Sequence, residues 1–242
     1  MELEVIGFDL VSCSAAQQHG ANRIELCANP HEGGTTPSYG MIEVARRHTS
    51  IELFPIIRPR GGDFLYSELE FRSMTADIRQ CRQLGCDGVV IGMLRKDGDV
   101  DTERCAELIG NAGPMQVTFH RAFDRVRDPL AALEDIIELG CARILTSGQH
   151  PNVDLGREML RTLVERAGDR ITIMPGSGVR SSNVAELAQF TGARAFHSSA
   201  RSRHPSAMEY TNPAMAERLE SVSIDPDEVI ELRRILDTLS PC

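Results

Sequence analysis

The segment LGCARILTS (139–147) has three near-copies in the chain: HGANRIELC (19–27), LGCDGVVIG (84–92) and TGARAFHSS (191–199). Each reads as a helix end, a glycine stop and then a short apolar strand. Gly20, Gly85, Gly140 and Gly192 mark the stops, at separations of 65, 55 and 52 residues. That interval holds two β/α units. Four such repeats give eight strands and eight helices, the content of one TIM barrel of roughly 250 residues. In that fold, chemistry sits on the loops that leave the C-terminal ends of the strands.

Working outward from the repeats, strands are predicted at 2–6, 23–26, 52–57, 88–91, 115–119, 142–146, 171–174 and 194–197, apolar runs suited to burial on both faces. Helices are predicted at 69–84, 101–111, 128–139, 154–167 and 181–190, most opening on an Asp or Ser able to accept first-turn amides. Right-handed crossovers close the sheet into a single α/β domain over residues 1–242, with the barrel at about 1–200. The competing architecture, a doubly wound open sheet, lacks its phosphate-binding GxGxxG after the first strand. Residues 200–225 are polar with little periodicity, and a terminal helix over 226–239 completes a C-terminal extension.

The 242 residues carry a formal net charge of -9, which offers no basic field for nucleic acid. No apolar run approaches the roughly 20 residues of a membrane span, so neither nucleic acid nor membrane is an expected partner. The N-terminus, MELEVIGF, enters a strand at once without the regions of a secretory signal, and a cytoplasmic location is expected. Of seven cysteines, Cys13, Cys81, Cys86, Cys105 and Cys141 fall on helices or junctions without CxxC spacing and are expected to be reduced and buried.

The strand ends hold the chemistry. Strand two delivers Glu25 and Cys27 ahead of the glycine-rich loop ANPHEGGTTPSYG. Strand three ends in RPRGGDFLYS, placing Arg58, Arg60 and Asp63 together; two guanidiniums at one mouth suggest an anionic ligand, against internal salt bridges that merely hold loops. Strand five ends in FHRAFD, with His120 at the rim, and strand six ends in Thr146 and Ser147. Strand seven supplies Gly176, Ser177 and Gly178, and strand eight supplies His197 and Ser198, at the two strand ends where TIM barrels commonly hold phosphate. His120 and Glu25 are the acid/base candidates, being types that move protons near neutral pH when their surroundings shift them. Cys27 and His31 offer sulfur and imidazole to a metal such as Cu(I), while a zinc finger lacks its four ligands.

The motifs RIELCANPHEGGTTPSYG, IRPRGGDFLYS, VTFHRAFD, RILTSGQ, IMPGSGV and FHSSA, in this order, resemble the CutC family, named for copper homeostasis. The resemblance implies a TIM barrel, a cytoplasmic location, a homodimer and copper as the metal handled. Family members credited with Cu(I) binding use the cysteine of the IELC motif, which matches Cys27. A second cysteine of the family's first strand is unmatched, since VIGFDL has none, and Cys13 is the alternative second thiol. Two readings follow: a copper-handling protein acting through Cys27, and a TIM-barrel enzyme or binder of a small anionic metabolite, phosphorylated or not. A purely structural role fits poorly with so many charged groups at one mouth.

Overall fold

The computed structural model describes residues 1–216 and 219–239. Eight parallel strands alternate with helices in the order β1 (Glu2–Gly7), α1 (Leu10–Gln18), β2 (Arg23–Leu26), α2 (Tyr39–His48), β3 (Glu52–Pro55), α3 (Glu68–Gln83), β4 (Gly88–Ile91) and α4 (Thr102–Ala112). The second half continues with β5 (Gln116–Phe119), α5 (Pro129–Glu138), β6 (Arg143–Thr146), α6 (Val153–Ala167), β7 (Thr172–Pro175), α7 (Val184–Thr191) and β8 (Ala195–Ser198). The strands pair as β3-β2-β1-β8 and β4-β5-β6-β7. An Ile56–Val90 bridge joins the two sheets, with the Ile57 amide donating to the Val90 carbonyl at 2.8 Å. Across the other seam β7 lies beside β8. This is the TIM barrel that the four repeats predict.

Each strand is buried on both faces, but the faces differ. Leu3, Ile24, Leu53, Val89, Phe119 and Phe196 point outward into the main apolar core beneath the helices, where each such side chain contributes about 1.5–3 kcal/mol by leaving water. Their alternate neighbours fill the barrel axis, and many are charged. Arg23 is 1% exposed and meets Glu52 at 2.8 Å, Glu2 at 3.0 Å and Glu4 at 3.3 Å. Its guanidinium stacks 5.0 Å from the Phe54 ring, and Arg143 stacks on the same ring at 5.0 Å. Phe54 fits there because β4 carries glycine opposite it: a Cβ on Gly88 would lie 2.3 Å from the ring.

Caps explain most helix starts. Ser67 and Glu70 form a reciprocal capping box on α3, and Asp101 and Asp128 cap α4 and α5. Two starts differ from expectation. Asn152, not Asp154, caps α6. Helix α7 begins at Val184 rather than 181, because Ser181 is held by Glu228, its amide and hydroxyl each donating at 2.8 Å.

The polar stretch after the barrel is not irregular throughout. Residues Arg201–His204 (β9) and Ser221–Ile224 (β10) form an antiparallel hairpin, fastened to α1 by a 2.9 Å Ser12–Ser223 hydroxyl contact. The terminal helix α8 (Pro226–Leu239) lies where predicted. Cys13, Cys81, Cys86, Cys105 and Cys141 are free and buried, as expected, Cys27 is free and buried as well, and Cys242 lies outside the described residues. Among the described residues, no helix is long and apolar enough to cross a membrane.

Candidate functional site

At the C-terminal end of the barrel a cavity of about 460 Å³ opens between the strand-end loops. A larger groove of about 960 Å³ beside α3 and α4 is lined mainly by long charged side chains and contains none of the acid/base candidates. The mouth cavity reaches Glu25 of β2, His120 after β5 and His197 of β8, all buried.

Glu25 and His197 belong to a buried trio with Glu4. The His197 Nδ1–H donates to Glu4 Oε1 at 2.8 Å, since a carboxylate can only accept, and Nε2 lies 3.8 Å from Glu25 Oε2. Burial opposes the charge on Glu4, yet the hydrogen bond from His197 and the nearby His197 and Arg23 charges hold it below the usual carboxylate range. Burial likewise opposes protonation of His197, but its bond to Glu4 and the charges of Glu25 and Glu4 raise it. Glu25 has no such hydrogen bond to an Arg or His. Burial, reinforced by Glu4 and opposed by His197, pushes it up to about 7, which suits proton exchange near neutrality.

His120 is the other acid/base candidate. The Ala122 amide donates to its Nδ1 at 3.2 Å, so the neutral ring carries its proton on Nε2. Burial, then the charge of Arg58, push it down to about 3, and the ring is an uncharged donor across the physiological range. Its Nε2 is buried with no hydrogen-bond partner among the described residues. The ring lies 5.0 Å from that of Phe64, and a Cβ on Gly92 would fall 2.4 Å from it.

The other expected residues divide. Arg58 lines the cavity, but its Nη atoms donate to the carbonyls of Glu32, Gly34 and Gly62 at 2.6–2.9 Å, clamping the loops after β2 and β3. Arg60 and Asp63 pair with each other at 2.9 Å, and Arg60 also with Glu70 at 2.6 Å; neither lines the cavity. Ser147 donates to Asp124 at 2.9 Å and accepts from Arg121 at 2.9 Å, while the Ser198 hydroxyl donates to the Val179 carbonyl at 2.8 Å; both are structural bonds. Gly176 gives room: a Cβ there would strike Leu145 at 2.4 Å. Ser177 and Gly178 line the cavity in left-handed backbone, with φ of 79° and 87°. Cys27 is 0% exposed, packed with Ile6, Phe54, Ile56 and Val90, whereas His31 is exposed on the rim.

Sequence reading missed Glu4, the partner of His197, and the rim cations Arg125 and Arg201, and left Arg121 without a role. Glu4 was legible in part: MELEVIGF alternates acid and apolar residues in a strand read as fully buried, and the RIEL strand alternates likewise. Arg201 stands at the start of the unpredicted hairpin.

The donor set bears on copper. Burial, then the charges of Glu25 and Glu4, hold the Cys27 thiol well above its ordinary range, opposing the deprotonation that a copper–thiolate bond requires. Cys13, the alternative thiol, is pushed up to about 12 by burial and by Asp9. A metal at either thiol would have to displace that proton in a buried setting. Among the described residues, the one group of three or more side chains able to converge on an ion is Glu4, Glu25 and His197, whose oxygen and nitrogen donors suit harder cations than Cu(I).

Fold and site together define a TIM-barrel protein with a buried carboxylate–imidazole set beneath an arginine-rimmed mouth. The chain belongs to the CutC family, whose model matches residues 1–202. It is 56% identical over 208 residues to the family protein CutC of Chromobacterium violaceum, covering 86% of this chain and 84% of that one. It is 45% identical over 214 residues to the human protein named copper homeostasis protein cutC homolog, covering 88% and 78%. The solved CutC structure from Streptococcus agalactiae superposes with a TM-score of 0.79 at 33% identity, covering 82% of this chain and 98% of that one.

Proposed function

We propose that this protein binds, and acts by acid/base chemistry on, a small anionic metabolite in the mouth cavity. One observation carries the reading: in a chain of net charge -9, Arg58, Arg121, Arg125 and Arg201 line one cavity that holds only three carboxylates, Glu25, Glu32 and Asp124. Asp124 is already saturated, accepting from Arg121, Thr146 and Ser147. Among the described residues Arg125 and Arg201 have no ion-pair partner, and the Ser177 and Gly178 amides, which line the same cavity, donate no hydrogen bond. An oxyanion placed between these groups would meet both forked cations and backbone N–H donors. Glu25 supplies the proton-transferring group beneath it. The test is calorimetric titration with inorganic phosphate and 2-phosphoglycolate. Binding by the wild type that weakens in Arg125→Met and Arg201→Met supports the reading, and absence of binding to the wild type rejects it.

A second reading, Cu(I) handling through Cys27 with His31, is favoured by the names of the relatives. Its test is anaerobic Cu(I) titration against a competing chelator. Tight one-to-one binding lost in Cys27→Ala would support it; weak binding, or binding that the substitution leaves unchanged, would reject it. Cytoplasmic location and homodimeric assembly belong to the same proposal. The exposed Met208, Tyr210, Met215 and Leu219 between β9 and β10 suit a subunit contact, which light scattering would test.

A further inference from the structure

The most informative unused group in the molecule is the His120 Nε2–H. A buried N–H without a partner is costly, of order 1–3 kcal/mol, and here nothing among the described residues takes it. The ring is held in place from three sides: the Ala122 amide on Nδ1, the Phe64 ring at 5.0 Å and the bare Cα of Gly92. It lines the same cavity as Glu25, which projects from a strand three places away around the ring of eight. A carbonyl oxygen is the group such a donor takes, and a carboxylate lining the same cavity of about 460 Å³ is the base available to the carbon next to that carbonyl.

We propose that the anionic ligand carries a carbonyl group, which His120 polarises through its Nε2–H while Glu25 removes a proton from the adjacent carbon. This inference rests on the anion-binding reading above and names the substrate class and the reaction class. The Glu25 carboxylate takes the proton, the C–H bonding pair becomes the new C=C bond, and the carbonyl π pair moves onto oxygen. That oxygen accepts the His120 hydrogen bond, which strengthens as its negative charge grows. Where the carbon that loses its proton bears a hydroxyl, that hydroxyl's proton passes to the enolate oxygen as its own C–O becomes the new carbonyl, and the protonated Glu25 delivers its proton to the former carbonyl carbon on the same face, giving the isomeric hydroxy-carbonyl compound. No oxidant, reductant or metal enters the balance. A neutral imidazole is suited to this role, because it can donate without first losing a more acidic proton.

The test compares two probes that share a phosphate tail: 2-hydroxyethyl phosphate, which has no carbonyl oxygen, and the hydroxamate of 2-phosphoglycolate, whose planar anionic oxygen mimics an enolate. The full-length wild type should bind the hydroxamate more tightly, and His120→Phe should remove that preference, weakening hydroxamate roughly 10- to 100-fold while leaving 2-hydroxyethyl phosphate within about twofold. A measurement on the unmodified protein covers the case in which His120→Phe fails to fold: the His120 Nε2–H proton resonance should move downfield with the hydroxamate and stay in place with 2-hydroxyethyl phosphate. If both probes bind wild type equally and that resonance is unmoved, this inference is overturned and the anion site stands. If neither probe binds, the anion site itself fails.

Discussion

His120→Gln should make the protein less sensitive to mild acid. In the unfolded chain His120 titrates near 6.5; in the folded protein burial and Arg58 push it down to about 3. Between these values the unfolded chain binds a proton that the folded one refuses, so stability from this group is present above pH 6.5 and is lost as pH falls toward 3. At pH 5 the unfolded state has gained about 1.5 pH units of advantage, worth roughly 2 kcal/mol. His197 shifts the other way, and carboxylates titrate over part of the same range, so the quantity to measure is a double difference. Urea denaturation of wild type and variant at pH 8 and pH 5 would show the wild type losing about 2 kcal/mol more than His120→Gln on acidification. The substitution lowers absolute stability at both pH values by lost packing, which cancels in the comparison. Equal losses in the two proteins, or a His120 ring resonance titrating near 6.5 in the native state, would refute the reasoning.

Two further outcomes follow from packing and charge. Gly92→Ala places a methyl 2.4 Å from the His120 ring and 2.9 Å from Ala122, with no flexible side-chain end to give way; a loss of about 1–3 kcal/mol is expected, and wild-type stability by chemical denaturation would contradict it. Arg23→Met removes the cation shared by Glu2, Glu4 and Glu52 and leaves Glu4 buried. A loss of about 3–5 kcal/mol is expected near neutral pH, shrinking at acid pH where the carboxylates protonate, and an equal loss at both pH values would count against the charge argument.

The barrel was legible because its signal is periodic: four copies of a helix stop and apolar strand fix eight elements whatever their loops do. The hairpin of β9 and β10 was not, because RSRH is polar and mostly exposed and the alternation in SVSI runs for only four residues, too short a signal within a polar stretch. In the site, Glu25, His120 and His197 were found as polar residues ending apolar strands. The electrostatic setting of each was not. Whether His120 carries charge depends on the Ala122 amide and on burial, and Arg60 is withdrawn from the mouth by Asp63 and Glu70; neither fact has a sequence period. Arg58 came out as a clamp on backbone carbonyls, a partner type that no pattern of side chains announces.

The row of charges on the barrel axis begins at Glu2 and Glu52, half-open to water at the N-terminal end, and passes through Arg23 and Glu4 to His197 and Glu25. Arginine does not give up its proton in a protein, so Arg23 interrupts this row as a conductor of protons while still transmitting the field of its neighbours. The mouth cavity, which both Glu25 and His197 line, is the side from which hydrogen ions reach them past no such interruption. A ligand that filled the cavity would cover that approach, so a proton taken up by Glu25 would stay with the complex and return to the ligand more readily than it exchanged with the solvent.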